Sequence, residues 1–120
     1  ADGLLVATST GSTAYSMSVG GPIIVPQCRN FIIIPVAPHS LNVRPLIVPD
    51  DWEIELQVES RNNHFLIALD GRNNVFETNT KMKIKKASFS TKAIKRESND
   101  FFNTLRGKLM WGVDNRKYTI

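Results

Sequence analysis

Short apolar runs rich in β-branched residues, separated by glycine, proline or turn residues, constrain the fold of this chain more than any other feature. Glu53–Val58 and Lys81–Lys85 alternate between polar and apolar residues, which is typical of strands with one face in solvent. Ile23–Val25 and Phe31–Ile34 are continuously apolar and predict strands buried on both faces. His64–Leu69 predicts one further strand. The pattern therefore indicates a mainly β chain.

The first residues predict a short strand, a loop and a short helix. Leu4–Ala7 is apolar and is followed by a loop rich in hydroxyl groups that contains Gly11. Ser12 or Thr13 is the expected N-cap of a helix of about two turns, because both are favoured capping residues. Gly20 and the proline two residues later end this helix.

The later residues predict a turn and a second helix. Residues 70–74 are rich in turn formers and connect two apolar runs. Ser98 is the expected N-cap of the late helix, in which Phe101, Phe102, Leu105 and Leu109 recur at helical spacing. We therefore expect one domain, residues 1–120, folded as a β-sandwich with one short helix near each end.

Composition excludes several classes of protein. A chain of 120 residues with 42% hydrophobic and 22% charged residues fits one globular domain. Its apolar runs are far shorter than the roughly 18 residues of a membrane-spanning helix. One cysteine, Cys28, makes no internal disulfide, so we expect a reducing, cytoplasmic setting. We also expect no membrane partner. A net charge of +4 suggests an acidic partner without naming it.

The segment from Ala1 to Pro22 is the strongest candidate for a binding site in the sequence. CxxC, HExxH and Walker A patterns are absent, and His39 and His64 are too far apart in sequence to propose a metal pair. In contrast, a strand followed by hydroxyls, a glycine and a helix N-terminus is typical of loops that bind phosphorylated ligands. Tyr15 adds a flat ring with a polar tip. The same pattern also fits a capped helix with no ligand, so the residues alone leave both interpretations open.

Four blocks of sequence add a resemblance. They are DGLLVATSTGSTAYSMSVGGPI from Asp2, PVAPHSLNVRPLIVP from Pro35, LDGR from Leu69 and FFNTLRGKLMWG from Phe101. Together they resemble the carboxy-terminal domain of NAD kinase, and the resemblance extends over essentially the whole chain. It implies an NAD-binding β-sandwich that follows an α/β domain.

The resemblance also implies an activity and a set of contacts. The family transfers the terminal phosphate of ATP to the adenosine ribose 2′-hydroxyl of NAD, giving NADP, with a divalent metal such as Mg²⁺ and as dimers or tetramers. The positions that correspond to the family's NAD contacts are Asp2, Thr10, Thr13, Ala14, Tyr15, Ser16, Met17, Ser18, Ala37, Asp70 and Arg72. The resemblance assigns no catalytic residue and no metal ligand within this chain.

Three departures from the family qualify the resemblance. Arg72 stands where glutamine is usual, so its contact is expected to change to a phosphate or to solvent. Ser9 stands where proline is usual, which predicts a slightly looser loop. The family's GGDG motif, with its proposed base, and an asparagine–glutamate contact to NAD lie upstream of this chain. We therefore expect a piece of a longer kinase that is inactive alone and that associates with itself.

Two alternatives remain at this stage. One is the related lipid-kinase branch, although the TAYS and PHSL blocks favour NAD over a lipid acceptor. The other is a basic nucleic-acid-binding module, for which few aromatic residues are available to stack on bases. Its basic residues would be Lys81, Lys83, Lys85, Lys86, Lys92, Lys95 and Arg96. The resemblance itself implies NAD as the partner and no nucleic acid.

Overall fold

The computed structural model describes residues 2–39, 42–92 and 100–109, and the chain forms two compact units. One unit contains residues 1–48 and 89–120, and the other contains residues 49–88. In chain order the elements are β1 (Gly3–Thr8), a 3₁₀ helix (Thr10–Thr13), α1 (Tyr15–Ser18), β2 (Asn30–Val36), β3 (Leu46–Pro49), β4 (Ile54–Leu56), β5 (His64–Leu69), β6 (Arg72–Glu77), β7 (Met82–Ile84) and α2 (Phe101–Leu109). The mainly β prediction is confirmed, and the sandwich arrangement stays a prediction.

A three-stranded sheet organises the first unit. β2 lies between β1 and β3, and it pairs with β1 in antiparallel register from Gly3 opposite Val36 to Thr8 opposite Phe31. The apolar run predicted as a strand at residues 31–34 therefore forms the centre of this sheet. The core contains Ile24, Ile32 and Ile34, with Leu5 and Val19 packed against them. β1 is thus paired with the central strand along its whole length. This pairing holds Thr8, the residue from which the next loop begins, in the sheet.

The predicted strand at Ile23–Val25 is wrong. These residues form no strand and belong to no sheet of the described chain. Ile24 is buried in the core, as the apolar pattern indicated, but its backbone N–H and C=O both bond to the hydroxyl of Ser12. The serine side chain therefore occupies the groups that a neighbouring strand would use.

Two antiparallel pairs of strands form the second unit. β4 pairs with β7, and β5 pairs with β6. The predicted strand His64–Leu69 is confirmed, whereas the predicted turn of residues 70–74 is too long. Leu69 lies opposite Arg72, so only Asp70 and Gly71 form the turn. Both have positive φ angles, 48° and 87°, as a two-residue type I′ hairpin turn requires.

α2 begins at Phe101, after a capping aspartate. The carboxylate of Asp100 accepts a hydrogen bond from the N–H of Asn103 at 2.7 Å, which is N-cap geometry. Ser98, the cap expected from the sequence, lies outside the described residues. No helix in residues 2–39, 42–92 or 100–109 is long and apolar enough to cross a membrane.

Candidate functional site

Ser9 ties the loop that follows β1 to a neighbouring segment of chain. Its side chain is buried, and its hydroxyl donates to the carbonyl oxygen of Cys28 at 2.5 Å, with the carbonyl oxygen of Asn30 at 3.4 Å. The expected loosening relative to proline is therefore countered by a hydrogen bond that spans 19 residues. Ser9 fixes the point at which the 3₁₀ helix begins.

The 3₁₀ helix uses part of its backbone internally. The N–H of Gly11 donates to Oγ1 of Thr8 at 3.2 Å, and the N–H of Ala14 donates to the carbonyl oxygen of Gly11 at 3.1 Å. These two N–H groups are therefore not free to bind a ligand, which differs from the expectation of free amides at a helix N-terminus. In this turn, the side chains of Thr10 and Thr13 therefore remain the candidate groups for contacting a ligand.

Neither predicted N-cap caps α1. The helix has Ala14 at its N-cap position and no side-chain hydrogen bond there. Ser12 is fully buried and bonds to Ile24, and Thr13 belongs to the preceding 3₁₀ helix. The two turns expected from the sequence divide into one 3₁₀ turn and one α turn, because Ser12 faces the core in the middle of the segment.

α1 separates its residues into a buried and an exposed set. Ser16 is 1% exposed, and within the described residues its hydroxyl has no hydrogen-bond partner. Tyr15 is 63% exposed, Ala14 and Ser18 are also exposed, and the Ser18 hydroxyl donates to the carbonyl oxygen of Tyr15 at 2.6 Å. Met17 is half-buried. Of the TAYSMS run, Tyr15 therefore presents the largest accessible surface for a ligand ring.

Asp2 and Ala37 lie together at the other end of β1. The N–H of Asp2 donates to the carbonyl oxygen of Val36 at 3.0 Å, and Ala37 follows with a φ of 47°. Asp2 and Thr8 are six residue steps apart along the strand, or about 20 Å. The predicted site residues of this unit thus form two groups, separated by the length of β1.

Asp70 and Arg72 belong to the other unit. Asp70 forms the first position of the hairpin turn, and Arg72 is the first residue of β6. Both side chains are exposed. The structure therefore places these two predicted contacts close in sequence at the β5–β6 hairpin turn.

The described residues contain no group of three or more His, Cys, Asp or Glu side chains that could hold a metal ion. A metal centre held by three or more such side chains is therefore absent from the part of the chain that the structure describes. No catalytic step is assigned to a metal on this chain.

Two of the predicted NAD contacts share a cavity with residues that the sequence did not assign to a site. Thr10 and Thr13 line a cavity of about 310 Å³ whose opposite side is α2. The other lining residues are Pro26, Asp100, Phe101, Thr104, Leu105 and Leu109. The four-residue spacing of Phe101, Leu105 and Leu109 is visible in the sequence, but it predicts a helix face and not a site.

Comparison with solved structures gives the class of protein. An NAD kinase from Archaeoglobus fulgidus in complex with ATP matches 72% of this chain and 32% of that chain, with 33% identity and a TM-score of 0.63. Yeast NADH kinase complexed with NADH matches 100% of this chain and 37% of that chain, with 25% identity and a TM-score of 0.70. The chain therefore has a fold found in NAD kinases.

Sequence comparison gives the family. The model of the ATP-NAD kinase C-terminal domain matches residues 1–96, and the chain belongs to that family. NAD kinases from Bacteroides fragilis and Cytophaga hutchinsonii are 58% and 50% identical to it over 116 residues, 97% of this chain. The chain spans 40% of the length of each of these relatives. Neither the lipid-kinase nor the nucleic-acid alternative is favoured by these matches.

The basic residues of the second alternative are in part paired with carboxylates. The Lys83 amine lies 3.2 Å from a carboxylate oxygen of Glu53, and the Lys86 amine lies 3.4 Å from one of Asp50. Lys95 and Arg96 lie outside the described residues. An alternating strand face with ion pairs accounts for the described part of this basic stretch.

Proposed function

We propose that this chain is the NAD-binding part of an NAD kinase that transfers the terminal phosphate of ATP to the adenosine ribose 2′-hydroxyl of NAD. The single observation that carries the proposal is the TGSTAYSMS segment. The buried Ser12 anchors it through its bonds to Ile24, and its threonines, Ala14, Tyr15 and Ser18 remain accessible. Within this proposal, residues 1–120 form one carboxy-terminal domain that follows an α/β domain.

The proposed contacts follow from the chemistry of each side chain. The Asp2 carboxylate accepts hydrogen bonds from a sugar hydroxyl or an amide, and the Thr10 and Thr13 hydroxyls donate to polar edges of the dinucleotide. The Tyr15 ring offers a flat apolar face. The exposed residues Ala14 and Ser18, with the half-buried Met17 and the backbone at Ser16, complete this group, and Ala37, Asp70 and Arg72 are further contacts.

Phosphoryl transfer needs groups beyond this chain. The 2′-hydroxyl oxygen bonds to the terminal phosphorus of ATP, the bond from that phosphorus to the leaving ADP oxygen breaks, and the hydroxyl proton passes to a base. We propose that the base lies in the upstream GGDG motif, together with the groups that hold Mg²⁺ and ATP. The 120 residues alone are then expected to bind without catalysing, because transfer depends on positioning from both sides.

We also propose that the kinase is a homo-oligomer in the cytoplasm. Leu66 and Val75 lie opposite each other on the β5–β6 hairpin and are 60% and 65% exposed. An exposed apolar pair on a two-stranded sheet supports association through this face. A mass above 13.5 kDa in light scattering is the expected result, and a monomer at micromolar concentration would contradict it. The single cysteine supports a reducing compartment.

The proposal is tested in a chimera. The chain is joined behind the upstream region of the Bacteroides fragilis NAD kinase, and NADP formation from NAD and ATP is measured. Tyr15→Ala is expected to raise the KM for NAD about tenfold, equivalent to about 1.4 kcal/mol of binding. Phe89→Ala is the control, because Phe89 is also a highly exposed aromatic residue. A folded chimera that forms no NADP would contradict the proposal, as would equal KM values for the two variants.

A further inference from the structure

The cavity between the 3₁₀ helix and α2 has the size of a small-molecule site. Its volume is about 310 Å³, at the lower end of the range of roughly 300–1,000 Å³ found for such sites. It lies within the first unit and contains both threonines that the proposed function assigns to NAD. Part of its wall comes from α2, which lies beyond the residues matched by the family model.

The α2 side of the cavity is apolar. Phe101, Leu105 and Leu109 are four residues apart and therefore lie on one face of the helix. Leu105 is 3% exposed and Leu109 is 37% exposed, so the apolar lining runs from a buried to a partly exposed part of the helix. The polar atoms of α2 in this region are engaged within the helix. The Thr104 hydroxyl donates to the carbonyl oxygen of Asp100 at 3.1 Å, and the Asp100 carboxylate caps the helix.

The loop side of the cavity is polar. Thr10 is exposed and Thr13 is half-buried, and neither hydroxyl hydrogen-bonds to another residue of the described chain. Each hydroxyl retains one donor and acceptor capacity for a ligand. The cavity therefore offers apolar contact on one side and hydrogen bonds on the other.

Charge limits what the cavity accepts. Asp100 is the only charged residue among those described as lining it, and its charge is negative. A phosphate group would be repelled by this carboxylate and would find no lysine or arginine among the described lining residues. A neutral, planar ring with polar edges fits both walls. Nucleoside bases have this character, and the phosphates attached to them would lie outside.

We propose that this cavity receives the base of a bound nucleotide, with Phe101 and Leu109 against the ring and the Thr10 and Thr13 hydroxyls at its polar edge. The inference rests on the proposed function, since NAD and ATP both carry such a base. α2 then supplies specificity-determining residues in addition to the TAYSMS segment.

Two adjacent phenylalanines provide a matched test. Phe101 lines the cavity, while Phe102 is 50% exposed and does not. Their rings are in edge-to-face contact with centroids 5.6 Å apart, so either alanine variant loses this pair. Only Phe101→Ala also removes the cavity wall. Phe101→Leu retains an apolar wall and serves as the conservative variant.

The first measurement is the KM of the chimera for each substrate. Phe101→Ala is expected to raise the KM for NAD or for ATP about tenfold with little change in kcat. Phe102→Ala is expected to leave both values unchanged, and Phe101→Leu to restore most of the loss. The substrate whose KM changes is the one whose base occupies the cavity. Equal values for Phe101→Ala and Phe102→Ala would overturn the proposal while leaving the proposed function intact.

The second measurement uses the 120-residue chain and phosphate-free probes. Adenosine and inosine, which both carry an uncharged base, are titrated separately into the labelled chain, and the amide shifts of the 3₁₀ helix and α2 are followed. Saturable shifts with either nucleoside that Phe101→Ala removes and Phe102→Ala retains are expected. Their absence would overturn the inference. An inactive chimera would overturn the proposed function instead, and this titration would still decide the role of the cavity.

Discussion

The side chain of Ser12 takes the place of a neighbouring strand for Ile24. Its hydroxyl accepts the N–H of Ile24 at 3.0 Å and lies 3.3 Å from the carbonyl oxygen of the same residue, to which it donates. Ser12 is 0% exposed and Ile24 is 8% exposed. This one side chain therefore satisfies two backbone groups in the core and joins the candidate site to it.

Replacing Ser12 by alanine leaves the Ile24 N–H and C=O without these bonds. We expect Ser12→Ala to lower the free energy of unfolding by about 1–3 kcal/mol, because the unpaired groups stay buried. Urea unfolding of the chain measures the change. Ser18→Ala is the matched control, because Ser18 is an exposed serine six residues away with a local bond. Equal losses for the two variants would contradict the bridging role.

A second prediction separates the contribution of the Ser9 hydroxyl to stability from the contribution of its backbone conformation. Ser9→Ala removes the bond to Cys28 and is expected to cost about 1 kcal/mol of unfolding free energy. The φ of Ser9 is −57°, and Thr8 before it is in a strand, so proline fits without strain. Ser9→Pro also loses the hydroxyl but restricts the unfolded chain, and it is expected to cost less than Ser9→Ala. A greater loss for the proline variant in the same urea experiment would show that this account is wrong.

Replacing each of two glycines by alanine is expected to change the stability of the chain in opposite directions. A Cβ on Gly21 would lie 2.6 Å from Cδ1 of Ile34 and 2.7 Å from the carbonyl oxygen of Ser16, and it would also overlap the Ser16 hydroxyl. Gly21→Ala is therefore expected to destabilise the chain by about 1–3 kcal/mol. Gly107 lies within α2 and its Cβ would meet nothing within 4 Å, so Gly107→Ala is expected to stabilise by about 0.5–1 kcal/mol. Thermal unfolding compares them, and a shift of the same sign for both would contradict this prediction.

Local sequence patterns predicted much of the strand content. β5 has the bounds that its apolar residues indicated, and Asp70-Gly71 identified the hairpin, although β6 begins sooner than expected. The pattern failed at Ile23–Val25, because the partner of Ile24 is a serine side chain 12 residues earlier in the chain. A contact between distant residues leaves no periodic signal in either segment.

The sequence identified the predicted contacts of the candidate site. It did not show which of their side chains are exposed and which are buried. The resemblance pointed to the TAYSMS run, but only the structure shows that Ser16 is buried while Tyr15 is exposed. α1 is a single turn, so it is too short for a hydrophobic period to distinguish its faces. The contribution of α2 depends on tertiary packing that brings residues 10–13 and 100–109 around one cavity.

The ion pairs of the second unit give a prediction about pH. The amine of Lys83 lies 3.2 Å from a Glu53 oxygen and 3.7 Å from a Glu55 oxygen, and all three side chains are more than half exposed. The hydrogen bond and charge of Glu53, with the charge of Glu55, raise the pKa of Lys83 above its ordinary value of 10.5. Glu53→Gln is therefore expected to lower the pKa of Lys83 more than Glu55→Gln does. NMR titration of the Lys83 side chain measures both, and a larger effect of Glu55→Gln would contradict the assignment.

The sign of the resulting pH dependence follows from linkage. Because the pKa of Lys83 is raised in the folded chain, its pairing stabilises the fold fully at pH values below 10.5, and this contribution is lost as the pH rises through the raised pKa. The unfolding free energies of wild type and Lys83→Met are therefore expected to differ by a constant amount near neutral pH and to converge under strongly alkaline conditions. The difference is expected to be small and to shrink with added salt, because these exposed charges are screened by water and ions. A difference that grows above pH 10.5 would contradict the raised pKa of Lys83.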